Sequence, residues 1–218
     1  MRLLFLGNSH TYFNDMPYLC AELLRATGEE VEIAMLTRGG ESLAGHLRNE
    51  QTRFNLLYGG WDLVLVQEVT SAFPPLEDYL RDLGAIHALC VAGGSRCALY
   101  MNFASPCDTP PLSAMRPSVL AGAKRFSLPV ARAGDAFARA AVDCPEIDLY
   151  GPDRHHASPA GSYLIALSIL RGVFGKDVTG LPGKICFRGT AMLDLPAGQA
   201  AALQAVTQSL PTGLCDAD

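Results

Sequence analysis

Leu3-Leu4-Phe5-Leu6-Gly7-Asn8-Ser9-His10-Thr11 decides how this chain is read. Four consecutive apolar residues read as a short strand buried on both faces, as in a parallel sheet. Gly-Asn-Ser then turns the chain and leaves a serine hydroxyl in the loop at the carboxyl end of the first strand. Open α/β sheets bind their ligands along that edge. A serine placed there is a candidate nucleophile once a histidine and an acid are found to serve it.

Outward from this stretch, apolar runs alternate with amphipathic ones. Strands are expected at Arg2–Leu6, Glu30–Met35, Leu63–Val66, Cys97–Met101 and Leu128–Ala131. Asn14-Asp15-Met16-Pro17 reads as a capped helix start, with Pro near the first turn and Gly28 after the last. Further helices are expected at Leu43–Asn49, Leu76–Val91, Ser113–Ser127, Gly134–Val142, from Ser158-Pro159 to about Arg171, and at Ala197–Ser209. Strand and helix in alternation argue for β-α-β units and an α/β fold with a parallel sheet. At 218 residues the chain suits one domain, 1–218, with a core to about residue 172 and a C-terminal extension carrying the last helix over 173–218.

Composition narrows the function. Hydrophobic residues make up 49% and charged residues 18%, as in an ordinary globular chain. The net charge of −5 with no lysine or arginine cluster argues against nucleic acid and acidic membrane surfaces as partners. The longest strongly apolar run, Tyr163–Leu170, is too short to span a bilayer. Met1 and Arg2 lead directly into the first strand, so a cytoplasmic location is expected. The seven cysteines (20, 90, 97, 107, 144, 186 and 215) show no CxxC or zinc-ligand spacing, and reduced thiols are expected.

The partners of Ser9 come from Tyr150-Gly151-Pro152-Asp153-Arg154-His155-His156-Ala157-Ser158-Pro159. Asp153 and His156 lie three apart on one polar loop, so the carboxylate can turn back onto the imidazole. Serine hydrolysis needs that pair: the histidine moves the proton and the acid fixes its tautomer. His155 competes for the base position, and its place relative to Asp153 favours His156. His10 either contacts substrate or caps its loop. Asn102, at a strand end, reads as a turn residue whose location borders the pocket edge. Glu68 is expected to pair with a loop cation such as Arg38 or Arg154, and His46 and His87, in helical patterns, read as ordinary surface or core residues. Adjacent histidine side chains rarely converge on one ion and no His-x-x-x-His accompanies them, so no metal is expected.

These two segments together resemble the SGNH hydrolases, the GDSL-type esterase/lipase superfamily. Gly7-Asn8-Ser9 matches the first block in a GNS form, and Asp153-x-x-His156 matches the last. The glycine block falls at Gly39-Gly40-Glu41-Ser42, with Gly40 or Gly39 as its key residue. The asparagine block falls at the end of the third strand, where this chain has Gln67. The resemblance runs from Met1 to roughly Gly172. It implies a three-layer α/β/α sandwich with about five parallel strands in flavodoxin-like order. It also implies Ser9 as nucleophile, His156 as base and Asp153 as orienting acid. Ser9 N–H, Gly40 N–H and the Gln67 amide would form the oxyanion hole. The expected substrate is a small carboxylic ester or an acetylated sugar, cleaved without a cofactor. A catalytically weak binding module on the same fold is the alternative, motivated by Gln67 and Asn8. A flavodoxin-like nucleotide binder is disfavoured, since the first loop lacks a phosphate cradle. Oligomeric state is not legible.

Overall fold

Leu3 and Phe5 of the first strand face one side of its sheet, Leu4 and Leu6 the other, because successive strand side chains point to opposite faces. The computed structural model describes residues 1–107 and 109–213; Cys215 lies outside them. Five parallel strands form the main sheet: β1 (Arg2–Gly7), β2 (Glu32–Thr37), β3 (Leu63–Val66), β4 (Arg96–Tyr100) and β5 (Val130–Ala131). Their order is β2-β1-β3-β4-β5, the flavodoxin-like order expected.

Helices cover both faces. The Leu3/Phe5 face, continued by Leu65, Ala98 and Tyr100, packs against α2 (Met16–Ala26), α7 (Ala133–Asp143) and α8 (Pro159–Phe174). The Leu4/Leu6 face, continued by Val64, Val66 and Leu99, packs against α3 (Leu43–Arg48), α4 (Glu50–Tyr58), α5 (Leu76–Ala92) and α6 (Leu112–Phe126). Helix α8 is buried on nearly every side, which explains why its sequence carries so little polar character. The segment after Gly172 adds a hairpin of β6 (Lys184–Phe187) and β7 (Thr190–Asp194), then α9 (Ala197–Gln208). Ile185, Leu193, Leu203 and Val206 join the same core as α2 and α8. Among the described residues, no helix is long and apolar enough to cross a membrane.

The start of α2 differs from expectation. Asn14 and Asp15 both adopt left-handed backbone (φ 52 for each), and Asp15 makes no side-chain cap. Asn tolerates this region because its short amide bonds locally. The amide of Asn14 instead donates to Ala157 O (2.8 Å) and Ser162 Oγ (2.9 Å). It therefore ties the segment after Ser9 to the loop that carries His156.

Candidate active site

The turn that presents Ser9 is built by its neighbours. Asn8 caps the short helix α1 (Ser9–Tyr12): its Oδ1 accepts from His10 N–H (3.1 Å) and its backbone carbonyl accepts from Thr11 N–H (2.9 Å). The other end of its amide, Nδ2, donates to Glu41 O at 2.9 Å. Gly7 is required by close approach: a Cβ there would lie 2.4 Å from Thr11 Oγ1 and 2.7 Å from Gln67 Oε1. The Gly7 carbonyl accepts from His46 Nε2 at 2.9 Å, and His46 Nδ1 meets Thr52 Oγ1 at 3.2 Å. His46 is thus a core residue, the buried alternative of the two expected, and acts as a strut under the serine turn. The sequence signal for it is a histidine three residues after Leu43, on the inward stripe of a helix.

The loop from Tyr150 to Ala157 is closed by bonds of its own. Gly151 N–H donates to His156 O (2.8 Å), Arg154 N–H to Gly151 O (2.9 Å) and Ser158 N–H to Leu149 O (2.9 Å). Asp153 Oδ1 accepts the backbone N–H of both His155 and His156, each at 3.0 Å. Its other oxygen, Oδ2, is 2.6 Å from His156 Nδ1. With the proton assigned to Nδ1, His156 leaves Nε2 free to accept from Ser9 O–H, 2.8 Å away. Phe13 stacks flat on the His156 ring, with centroids 3.8 Å apart and planes within 2°. The hydrogen bond from His156, followed by the two backbone N–H groups, holds the Asp153 carboxyl well below the usual carboxylate range. The acid is therefore an anion throughout the range in which an imidazole exchanges its proton.

His155 does not take the base position. Its Nε2 lies 3.2 Å from His10 Nε2, and its Nδ1 faces Ser105 Oγ at 3.4 Å and Cys107 O at 3.5 Å. His10 is buried. Burial first, then the neighbouring His155 and His156, hold its pKa down to about 3, so its ring is neutral. Adjacent histidines are expected to point apart, and here they do not. Left-handed backbone at Arg154 (φ 56) helps fold the loop so tightly that His10, His155 and His156 converge, each with a ring nitrogen within 4.8 Å of the other two.

Two expected site residues are engaged elsewhere. Gln67 is buried, its Oε1 accepts from Asn8 N–H (3.1 Å) and Thr11 O–H (2.9 Å), and its Nε2 donates to Glu68 O. This overturns its assignment as an oxyanion donor, because the extra methylene swings the amide beneath the serine turn. Asn102 is likewise buried, with Nδ2 donating to Glu68 O and Thr70 Oγ1, both at 2.7 Å. It braces the loop after β3 and is not at the pocket edge. In the loop after β2, Glu41 N–H donates to Arg38 O (3.1 Å), closing a turn with left-handed Gly40 (φ +67) at its corner. Among the described residues, neither Ser9 N–H nor Gly40 N–H has a hydrogen-bond partner.

Among the described residues Glu68 pairs with no arginine; Arg154 is bound to Asp148 at 3.0 Å. The Glu68 carboxylate is buried and accepts N–H from Leu43 (3.0 Å) and Val69 (2.7 Å). Burial pushes its pKa up, and those two N–H groups pull it partly back. A carboxyl with a raised folded pKa favours the fold fully below its unfolded value, about 4.3, and that contribution is lost as pH rises through the folded pKa. Glu68→Gln removes the titration. Urea unfolding at about pH 4 and pH 8 will show the stability of E68Q, relative to the parent chain, improving with pH. A pH-independent difference would mean Glu68 titrates like an exposed glutamate.

No protein-family model matches the chain, and no curated protein matches it in sequence. Solved structures do match. A DUF4886 family protein from Bacteroides uniformis superposes with a TM-score of 0.74 at 18% identity, over 95% of this chain and 93% of that one. A lipase/acylhydrolase from Enterococcus faecalis gives 0.64 at 17% identity, over 78% of this chain and 94% of its own. The acetyl xylan esterase AlAXEase gives 0.64 at 16%, over 78% and 98%. Strand order, helical layers and these likenesses agree: the chain has the α/β/α fold of the GDSL-type SGNH hydrolases.

Proposed function

We propose that this protein is a serine hydrolase that cleaves small carboxylic or acetyl esters through an acyl-enzyme. The observation that carries the reading is the continuous line Ser9 Oγ, His156 Nε2, His156 Nδ1, Asp153 Oδ2, with links of 2.8 and 2.6 Å. Ser9 Oγ attacks the ester carbonyl while its proton passes to His156 Nε2. The imidazolium, stabilised by Asp153, then protonates the leaving alcohol. Water enters, gives a proton to His156 and attacks the acyl-serine; collapse releases the acid and returns the proton to Ser9.

With Gln67 turned inward, the oxyanion is served by backbone donors: Ser9 N–H and Gly40 N–H. A well-placed donor of this kind is worth roughly 3 kcal/mol in the transition state. A polar cleft of about 370 Å³ lined by Arg38, Glu41, Arg48 and Asn49 adjoins the Gly40 turn. The same chemistry is named for two of the solved structures above, an acylhydrolase and an acetyl xylan esterase.

A fluorophosphonate probe should label the chain at one site, and Ser9→Ala should abolish labelling while Ser105→Ala retains it. Absence of labelling at any pH from about 6 to 9, a range that runs from mostly protonated to fully neutral free imidazole, would favour the second reading. That reading is a ligand-binding module without turnover, and it draws on the inward-turned amide of Gln67.

A further inference from the structure

Three imidazoles meet where the hydrolytic cycle uses one. His10, on the helix that begins with the serine, faces His155 and His156 on the opposing loop, and the three ring nitrogens lie within 4.8 Å of one another. His10 Nε2 and His155 Nε2 are 3.2 Å apart. Two nitrogens held by one tetrahedral zinc at about 2.0–2.1 Å stand about 3.3 Å from each other. This pair already has the spacing of two ligands on one ion.

Two further observations point the same way. His10 is only 5% exposed, and its Nδ1 is buried with no hydrogen-bond partner among the described residues. Among the described residues its single ring contact through nitrogen is therefore the one toward His155, while its ring also packs edge-on against Phe103 with centroids 4.9 Å apart. The other two rings carry the outer partners that orient metal-bound histidines. His156 Nδ1 is on Asp153 at 2.6 Å, and His155 Nδ1 faces Cys107 O at 3.5 Å.

We propose that His10, His155 and His156 bind one divalent ion of the zinc class through their Nε2 nitrogens, and that the ion takes His156 away from Ser9. Three imidazoles with a fourth position for water match the coordination zinc prefers. His156 must close on the other two by up to about 1.5 Å to bring ring nitrogens now within 4.8 Å of one another to the spacing of a tetrahedral set. The Nε2 of His156 has one lone pair. It either binds the ion or accepts the serine proton, so metal binding and acyl transfer exclude each other. The ion thus acts as a reversible off-switch. Only this last step rests on His156 being the catalytic base; the binding itself does not.

The test is titration of the full chain with ZnCl₂ by calorimetry and with CoCl₂ by visible absorbance. One equivalent should bind with a dissociation constant of about 10 μM or tighter, and bound cobalt should show the absorption of a four-coordinate site. Loss of an outer partner costs 10–100-fold in metal affinity, so His155→Ala, which removes a ligand, should cost at least about 100-fold. Ser9→Ala should change affinity by less than about threefold. His155→Gln repeats the test with a polar side chain, and circular dichroism confirms that each variant is folded. No binding by about 100 μM zinc, or binding that His155→Ala leaves intact, overturns the site. One equivalent of zinc should also silence ester hydrolysis, with recovery on adding EDTA. Zinc that binds without slowing hydrolysis overturns the shared ligand. Zinc bound to a chain that hydrolyses no ester leaves the metal site standing and removes the hydrolase reading alone.

Discussion

His156→Ala is expected to lower kcat/KM for p-nitrophenyl acetate, assayed with EDTA present, by about 10⁴–10⁶-fold, because nucleophile and base act as a unit. Ser9→Ala should cost about the same, and the double variant little more. Non-additivity is the signature of a shared step. Asp153→Asn should cost less, on the order of 10²–10⁴-fold. The Asp153 side chain is 48% exposed, so solvent shares in stabilising the imidazolium. The geometry also separates the two adjacent histidines: His156 faces Ser9 at 2.8 Å, whereas His155 faces His10. A His156→Ala variant retaining more than a tenth of the parent rate would remove His156 from the base position. The variants should keep the parent's circular dichroism, since His156 sits on a surface loop held mainly by backbone bonds.

Gln67→Ala is expected to cost about 3–5 kcal/mol of stability, read by urea unfolding. Two buried donors, Asn8 N–H and Thr11 O–H, lose their acceptor at Gln67 Oε1. Each unsatisfied donor costs about 1–3 kcal/mol, and the cavity adds to this. The result discriminates between two roles for the same residue. An oxyanion donor would lower kcat and leave the unfolding midpoint unchanged. A strut lowers the midpoint first, and catalysis only as the serine turn loosens. A stable but slow Q67A would restore the oxyanion role that the bonds of Gln67 to Asn8, Thr11 and Glu68 oppose.

The strands are legible because four of the five are continuous apolar runs, and burial on both faces writes itself into composition. Their ends are less so. Residues Glu30–Met35 read as a strand, but pairing runs from Arg2 with Glu32 to Gly7 with Thr37, a register decided by a distant partner. Helix α4 leaves no clear signal because only Thr52 and Leu56 of its nine residues are buried, so it has almost no apolar stripe. The β6-β7 hairpin leaves none because its turn places Arg188 (φ 49) and Gly189 (φ 84) in left-handed conformations. Asn or Asp is the usual sequence signal before such a glycine. In the site, Ser9, Asp153 and His156 are legible because acid and base share one loop and the serine ends a strand. Gln67, Asn102 and His46 are not. Their orientations depend on which buried donors and carbonyls surround them, and those come from segments scattered along the chain.

The bond between Ser9 and His156 joins residues 147 positions apart. During synthesis Ser9 emerges long before Asp153 and His156. A domain folds as a unit, so the serine turn and the loop of Asp153 and His156 come together only in the complete fold. Helices α2 and α8 pack against each other, and the Asn14 amide joins their ends, so the two halves of the site meet only when α8 docks. On the proposed reading, Ser9 therefore has no base within reach until α8 has docked.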